Sequence, residues 1–158
     1  MKTLIVYASK HGCTETCAGK LKSGLPDGAD LVNLKQERDV NIESYDTVLI
    51  GGSIHAGRIQ SSVKKFCVDR IPALLQKRIG LFLCCMEEGL TARTQFENAF
   101  PAELRGHAAA KGLFGGAFTF ERMNWVERTL TKKIAKMDQS ISKINVDEIS
   151  RFIADLKR

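Results

Sequence analysis

Residues 2–14 read KTLIVYASKHGCT, and this stretch decides the fold. A short apolar, β-branched run, Leu4-Ile5-Val6-Tyr7-Ala8, stops at Ser9. A loop of small and polar residues follows, with Gly12 inside it, and Thr14 opens a segment with helical spacing. A buried strand that ends in a hydroxyl-bearing loop at a helix start is an anion cradle. The first amides of the helix have no intrahelical acceptor and point outward. Gly12 lets the backbone approach a ligand closely, and Ser9 and Thr14 add hydroxyl donors. There is no GxxxxGK[ST] and no GxGxxG in the chain, so neither a triphosphate P-loop nor a dinucleotide fingerprint is indicated. On these residues alone, an ordinary strand-to-helix turn without a ligand is the competing reading.

Outward from this stretch, strand and helix patterns alternate. Apolar strands are expected at 2–8, 30–34, 46–52, 79–85 and about 110–118. Helical spacing covers roughly 13–24, with Cys17, Ala18, Leu21 and Leu25 on one face. A second helix is expected over 61–76, with Val63, Phe66, Cys67, Ile71 and Leu74 inward, Ser61 or Ser62 as cap, and Pro72 bending or ending it. A weaker stretch at 91–105 is broken by Pro101. The last helix runs from about 146 to 157, with Val146, Ile149, Phe152, Ile153 and Leu156 inward, and Asn145 with Glu148 forms a capping-box-like start. Continuous apolar strands alternating with helices mean a parallel sheet covered on both faces. The chain is expected to be one α/β domain over 1–158, a three-layer sandwich with a five-stranded parallel sheet of order 2-1-3-4-5.

Composition agrees with this class. The 158 residues are 44% hydrophobic and 27% charged, and no apolar run approaches the ~20 residues that span a bilayer. One Lys and a six-residue apolar stretch do not make a signal peptide, so a cytoplasmic protein is expected. The five cysteines (Cys13, Cys17, Cys67, Cys84 and Cys85) are odd in number and contain no CxxC, which fits reduced thiols. Cys13 and Cys17 lie four apart, but with no second ligand pair at suitable spacing no metal site is expected. Cys84-Cys85 reads as packing, and Cys13, at a helix start, is the thiol best placed to be reactive. The net charge of +6 leaves room for an anionic substrate, an acidic partner or an anionic surface. No basic run interleaved with aromatics suggests nucleic acid.

In sheets of this order, ligands bind at the carboxyl ends of the strands, beside the switch between the first and third. Three loops converge there: Ser9-Lys10-His11-Gly12-Cys13-Thr14, then Gly51-Gly52-Ser53-Ile54-His55-Ala56-Gly57-Arg58, then Cys85-Met86-Glu87-Glu88-Gly89. All three are polar and contain glycine, and the Gly51-Gly52 pair is expected to admit a flat ligand to the backbone.

The first loop, Ser-x-His-Gly-x-Thr, resembles the flavodoxin phosphate signature, [ST]-x-[ST]-G-x-T, with His11 in place of a hydroxyl and able to donate from its ring. GGSIHAGRIQSSVKKF and MNWVERTLTKKIAKM resemble the flavodoxin branch of the menaquinone-dependent protoporphyrinogen oxidase type. The resemblance implies FMN as cofactor, with phosphate at Ser9, His11, Gly12, Cys13 and Thr14, and Lys10 as a further cofactor-binding residue. It implies an isoalloxazine held between Ser53, Ile54, His55, Ala56 and Gly57 on one side and Cys85, Met86 and Glu87 on the other. No Trp or Tyr stands in either ring-side loop, so stacking falls to His55, Met86 or another subunit. The resemblance further implies an oxidoreductase passing hydrogens from a bulky anionic substrate through the flavin to a quinone or other redox partner. Two alternatives stand beside it: an electron-transfer flavodoxin without its own substrate, and a flavin-free interaction module. No side chain stands out as a general acid or base, and His11 and His55 read as contact residues.

Residues 123–137 carry one more signal. Met123, Val126, Leu130, Ile134 and Met137 make one helical stripe, while Trp125 shares a face with Arg128, Lys132 and Lys136. This pattern reads either as a solvated basic face with Trp125 tucked under a loop, or as a peripheral docking face for an anionic membrane or carboxylated substrate.

Overall fold

Every residue of β1 (Thr3–Tyr7) is buried, because both faces of the strand are covered. Side chains of a strand alternate between faces. Leu4, Val6 and Ala8 accordingly enter one core, and Ile5 and Tyr7 enter another. The computed structural model describes residues 1–118 and 141–158. In chain order the elements are β1, α1 (Cys13–Gly24), β2 (Asp30–Asn33), β3 (Thr47–His55), β4 (Arg58–Ile59), α2 (Ser61–Asp69), α3 (Ile71–Leu74), β5 (Arg78–Cys84), α4 (Gly89–Ala99), α5 (Ala102–His107), β6 (Ala110–Leu113), β7 (Ala117–Phe118), β8 (Ile141–Ser142) and α6 (Val146–Leu156).

The parallel strands lie in the order β2-β1-β3-β5-β6, which is the expected 2-1-3-4-5 once the short β4 is set aside. Ile5 sits opposite Leu31 on one side and Leu49 on the other, and Leu49 sits opposite Gly80. On one face Val48, Ile50, Leu81 and Leu83 pack against Val63, Phe66, Leu74, Phe96 and Leu104 of α2–α5. On the other, Ile5, Leu49 and Phe82 pack against Cys17, Ala18 and Leu21 of α1 and Ile149, Phe152 and Leu156 of α6. Here Phe82 stacks on Phe114 (centroids 5.2 Å apart, 18° between planes), and Phe152 meets both edge-on.

Several element boundaries differ from expectation. β3 does not stop at Gly52 but continues to His55, because its end pairs antiparallel with β4 (Ile54 with Ile59, His55 with Arg58). The segment expected as one helix over 61–76 is two, since Arg70 leaves helical geometry ahead of Pro72. Neither Ser61 nor Ser62 is its cap; Gln60 holds that position. The 91–105 stretch divides at Pro101, which becomes the N-cap of α5. The strand expected over 110–118 breaks at Gly115, whose φ is +77°, before β7 pairs antiparallel with β8. In α6 the Asn145 side chain accepts the Glu148 amide, as expected of a cap, but the Glu148 carboxylate turns to Arg151 at 2.6 Å. Val146 is not inward; it is 55% exposed. The helix read over 123–137, with Trp125, Arg128, Lys132 and Lys136, lies outside the described residues.

Candidate functional site at the carboxyl edge of the sheet

The loop after β1 is built around Gly12. Its φ of +93° is left-handed, which only glycine adopts at little cost, and it forms the N-cap of α1. Ser9 Oγ accepts the Gly12 amide at 3.0 Å and so folds the loop back on the strand end, while its own O–H remains a donor. The Gly12 carbonyl accepts the Thr16 amide at 3.0 Å and the Thr16 hydroxyl at 2.8 Å. No side chain caps α1, so the amides of its first turn face the loop. Thr14 is 0% exposed, and its hydroxyl oxygen has no hydrogen-bond partner among the described residues. A buried hydroxyl without a partner is costly, and here it stands at a positive helix end. The hydroxyl and the helix-start amides are groups from which an anion can accept hydrogen bonds.

The second wall is the β3–β4 hairpin. Its two turn residues, Ala56 (φ +49°) and Gly57 (φ +77°), are both left-handed, as in the tight turns that match sheet twist. Ala56 is the only non-glycine residue with positive φ among the described residues, and it is exposed. Ala56→Gly is therefore expected to raise stability by about 1 kcal/mol, read as a higher urea midpoint with an unchanged m-value. An unchanged or lower midpoint contradicts this geometry.

Gln60 ties the two walls together. Its Nε2 donates to the Ala8 carbonyl at 3.3 Å and to Ser53 Oγ at 2.7 Å, and its Oε1 accepts the Ser53 amide at 2.9 Å. Ser53 Oγ also lies 2.9 Å from His55 Nε2. The His11 and His55 rings meet edge to face, with centroids 5.6 Å apart. The first and second loops thus form one continuous wall. Gln60→Leu is expected to lower stability by about 2 kcal/mol in urea denaturation, because it strands the Ser53 amide. An effect below about 0.5 kcal/mol would show the tie to be incidental.

The third loop follows directly, since the β3–β5 register sets Ser53 opposite Cys84. Cys85 is buried, its amide donates to the Gly115 carbonyl at 2.9 Å, and burial pushes its thiol pKa up. Met86 is half-buried and Glu87 exposed, as are Lys10 and the turn residues Ala56 and Gly57. Ile54 and His55 are half-buried. The fourteen residues expected at the site lie on the loop after β1 and the first turn of α1, on the end of β3 and its turn, and on the segment after β5.

Gly51 and Gly52 have a packing role that their sequence does not show. A Cβ on Gly51 would run into the Phe82 ring, and one on Gly52 would lie 2.7 Å from Gln60 Oε1 and 2.8 Å from Ile59. The pair makes room for protein side chains. Sequence reasoning missed Gln60, whose side chain turns inward from a cap position that nothing in its neighbours marks. It also missed that Cys84 joins Cys13 and Cys17, which the separation of the segments conceals.

Among the described residues, no helix is long and apolar enough to cross a membrane. The family model of the Flavodoxin domain matches residues 4–144, and the chain belongs to that family. It is similar to the protoporphyrinogen IX dehydrogenase [quinone] of Escherichia coli (strain K12), with 26% identity over 146 residues, 87% of this chain and 80% of the relative. The fold is that of oxidised flavodoxin 1 from Bacillus cereus, with a TM-score of 0.59 and 16% identity over 99% of this chain and 97% of that one. Two-electron reduced Megasphaera elsdenii flavodoxin aligns over 99% of both chains, with a TM-score of 0.58 and 20% identity.

Proposed function

We propose that this sheet edge binds FMN and that the protein is an FMN-dependent oxidoreductase of the protoporphyrinogen-dehydrogenase kind, passing electrons to a quinone-type acceptor. The observation that carries the reading is the buried, partnerless Thr14 hydroxyl at an uncapped helix start, beside Ser9 and the left-handed Gly12. An anionic phosphate fits that donor set. Ser9, Lys10, His11, Gly12, Cys13 and Thr14 would hold the phosphate, and Ser53–Gly57 with Cys85, Met86 and Glu87 would flank the ring. When bound, the flavin supplies the electron and hydride chemistry.

The chain's own residues supply position and electrostatics. The α1 start and the Ser9 and Thr14 hydroxyls would donate hydrogen bonds to the phosphate, and Gln60 keeps the hairpin against the β1 end. The Ser53 hydroxyl at His55 Nε2 helps to fix the orientation of that ring beside His11. The net charge of +6 suits an anionic substrate. A cytoplasmic placement, with contact to a membrane surface through Trp125, Arg128, Lys132 and Lys136, accompanies this reading.

Titration of flavin-stripped protein with FMN, followed by anaerobic reduction, tests the cofactor. Failure to bind FMN turns the reading toward an interaction module. Porphyrinogen oxidation with a quinone then tests the reaction; FMN binding without turnover leaves an electron-transfer flavodoxin.

A further inference from the structure

Behind the first loop, Cys13, Cys17 and Cys84 bring three sulfur atoms within 4.8 Å of one another, and the Cys17 and Cys84 sulfurs are 3.6 Å apart. None of the three is in a disulfide. They come from the first turn of α1, its second turn and the last residue of β5. Cys17 and Cys84 are 0% and 1% exposed within the core formed by Tyr7, Ala18 and Phe82, while Cys13, at the end of the loop, is half-buried against it. Sulfurs held about 2.3 Å from one ion stand about 3.4–4.0 Å apart, so small side-chain rotations bring the trio onto a single centre. No His, Asp or Glu joins the group among the described residues, which leaves a three-sulfur site without a fourth ligand.

We propose that Cys13, Cys17 and Cys84 form a trithiolate site for a trivalent thiophilic centre, the chemistry of arsenous acid. Charge selects it. Three thiolates around a trivalent centre are neutral, whereas a divalent or monovalent ion leaves net negative charge in an apolar core. The reaction balances without redox change: three S–H bonds and three As–O bonds break, three As–S bonds form, and three waters leave. Each thiol proton departs with a hydroxyl. Two of the thiols are held protonated beforehand: hydrogen bonding with Cys13, together with burial, pushes Cys17 up to about 12, and Cys84 is raised by hydrogen bonding with Cys13 and Cys17 and by burial. Cys13 provides the entry point. The inference does not depend on the cofactor assignment, because it concerns sulfurs beneath the loop and is read by mass.

The test is native mass spectrometry of the reduced full-length protein titrated with sodium arsenite. The expected product has gained one arsenic and lost three protons. In Cys17→Ala and, separately, Cys13→Ser, the expected change is at least a hundredfold weaker binding, because a ligand is lost rather than a supporting contact. Cys67→Ala, on the opposite face of the sheet, is expected to bind as the parent does. A product that keeps one hydroxyl and has lost only two thiol protons overturns the proposal. So does unchanged binding in both cluster variants, or tighter binding of Zn2+ than of arsenite. Should Cys17→Ala fail to fold, the exposed-side Cys13→Ser variant decides alone.

Discussion

Gly51→Ala is expected to destabilise the protein by about 3 kcal/mol or more, at the upper end for overpacking a core. The added methyl would enter the Phe82 ring. That ring has no room to yield: it stacks on Phe114 at 5.2 Å, meets Phe152 edge-on at 6.2 Å, and is 0% exposed. Chemical denaturation measures the loss. Gly51→Ala with Phe82→Leu is expected to be less destabilised than the sum of the two single variants, because the smaller side chain removes the collision. A cost below about 1 kcal/mol for Gly51→Ala, or strict additivity of the pair, would show that Gly51 is kept for another reason, such as backbone approach to a ligand.

Thr14→Val is expected to separate stability from binding. Valine matches threonine in shape and removes a buried hydroxyl that has no partner in the ligand-free fold. The flavin-stripped variant should therefore be as stable as the parent or up to about 1 kcal/mol more so. FMN affinity should fall about 10–100-fold, since a hydrogen bond to a charged group contributes about 1.5–3 kcal/mol. Fluorescence titration with FMN measures the second effect and thermal denaturation the first. Unchanged FMN affinity would remove Thr14 from the phosphate site, and with it the observation on which the proposed function rests.

What was legible in the sequence is the part governed by periodicity. The β1 run, the alternation of strand and helix, and the stripe on α6 through Ile149, Phe152 and Leu156 fix the layer arrangement, because burial on both faces leaves little freedom of register. The three segments follow from that topology, although the second is strand as far as His55. What was not legible depends on contacts between distant segments. Nothing near Gly51 and Gly52 says that Phe82 and Gln60 will claim the space above them. The continuation of β3 to His55 depends on a turn at Ala56-Gly57, and alanine does not advertise a left-handed conformation. The thiol cluster joins the second turn of α1 to a strand end 67 residues away, a distance at which spacing rules are silent.

The side chain of Gln60 has one more consequence. A single amide group serves the carbonyl end of β1 and both the amide and the hydroxyl of Ser53. Its bonds cannot be released one at a time without leaving buried polar atoms stranded, so they let go together. The hairpin is accordingly expected to behave as an all-or-none latch rather than a graded spring. Exchange of the Ser53 amide proton with solvent then reports every opening of the hairpin as a single event, timed by one side chain.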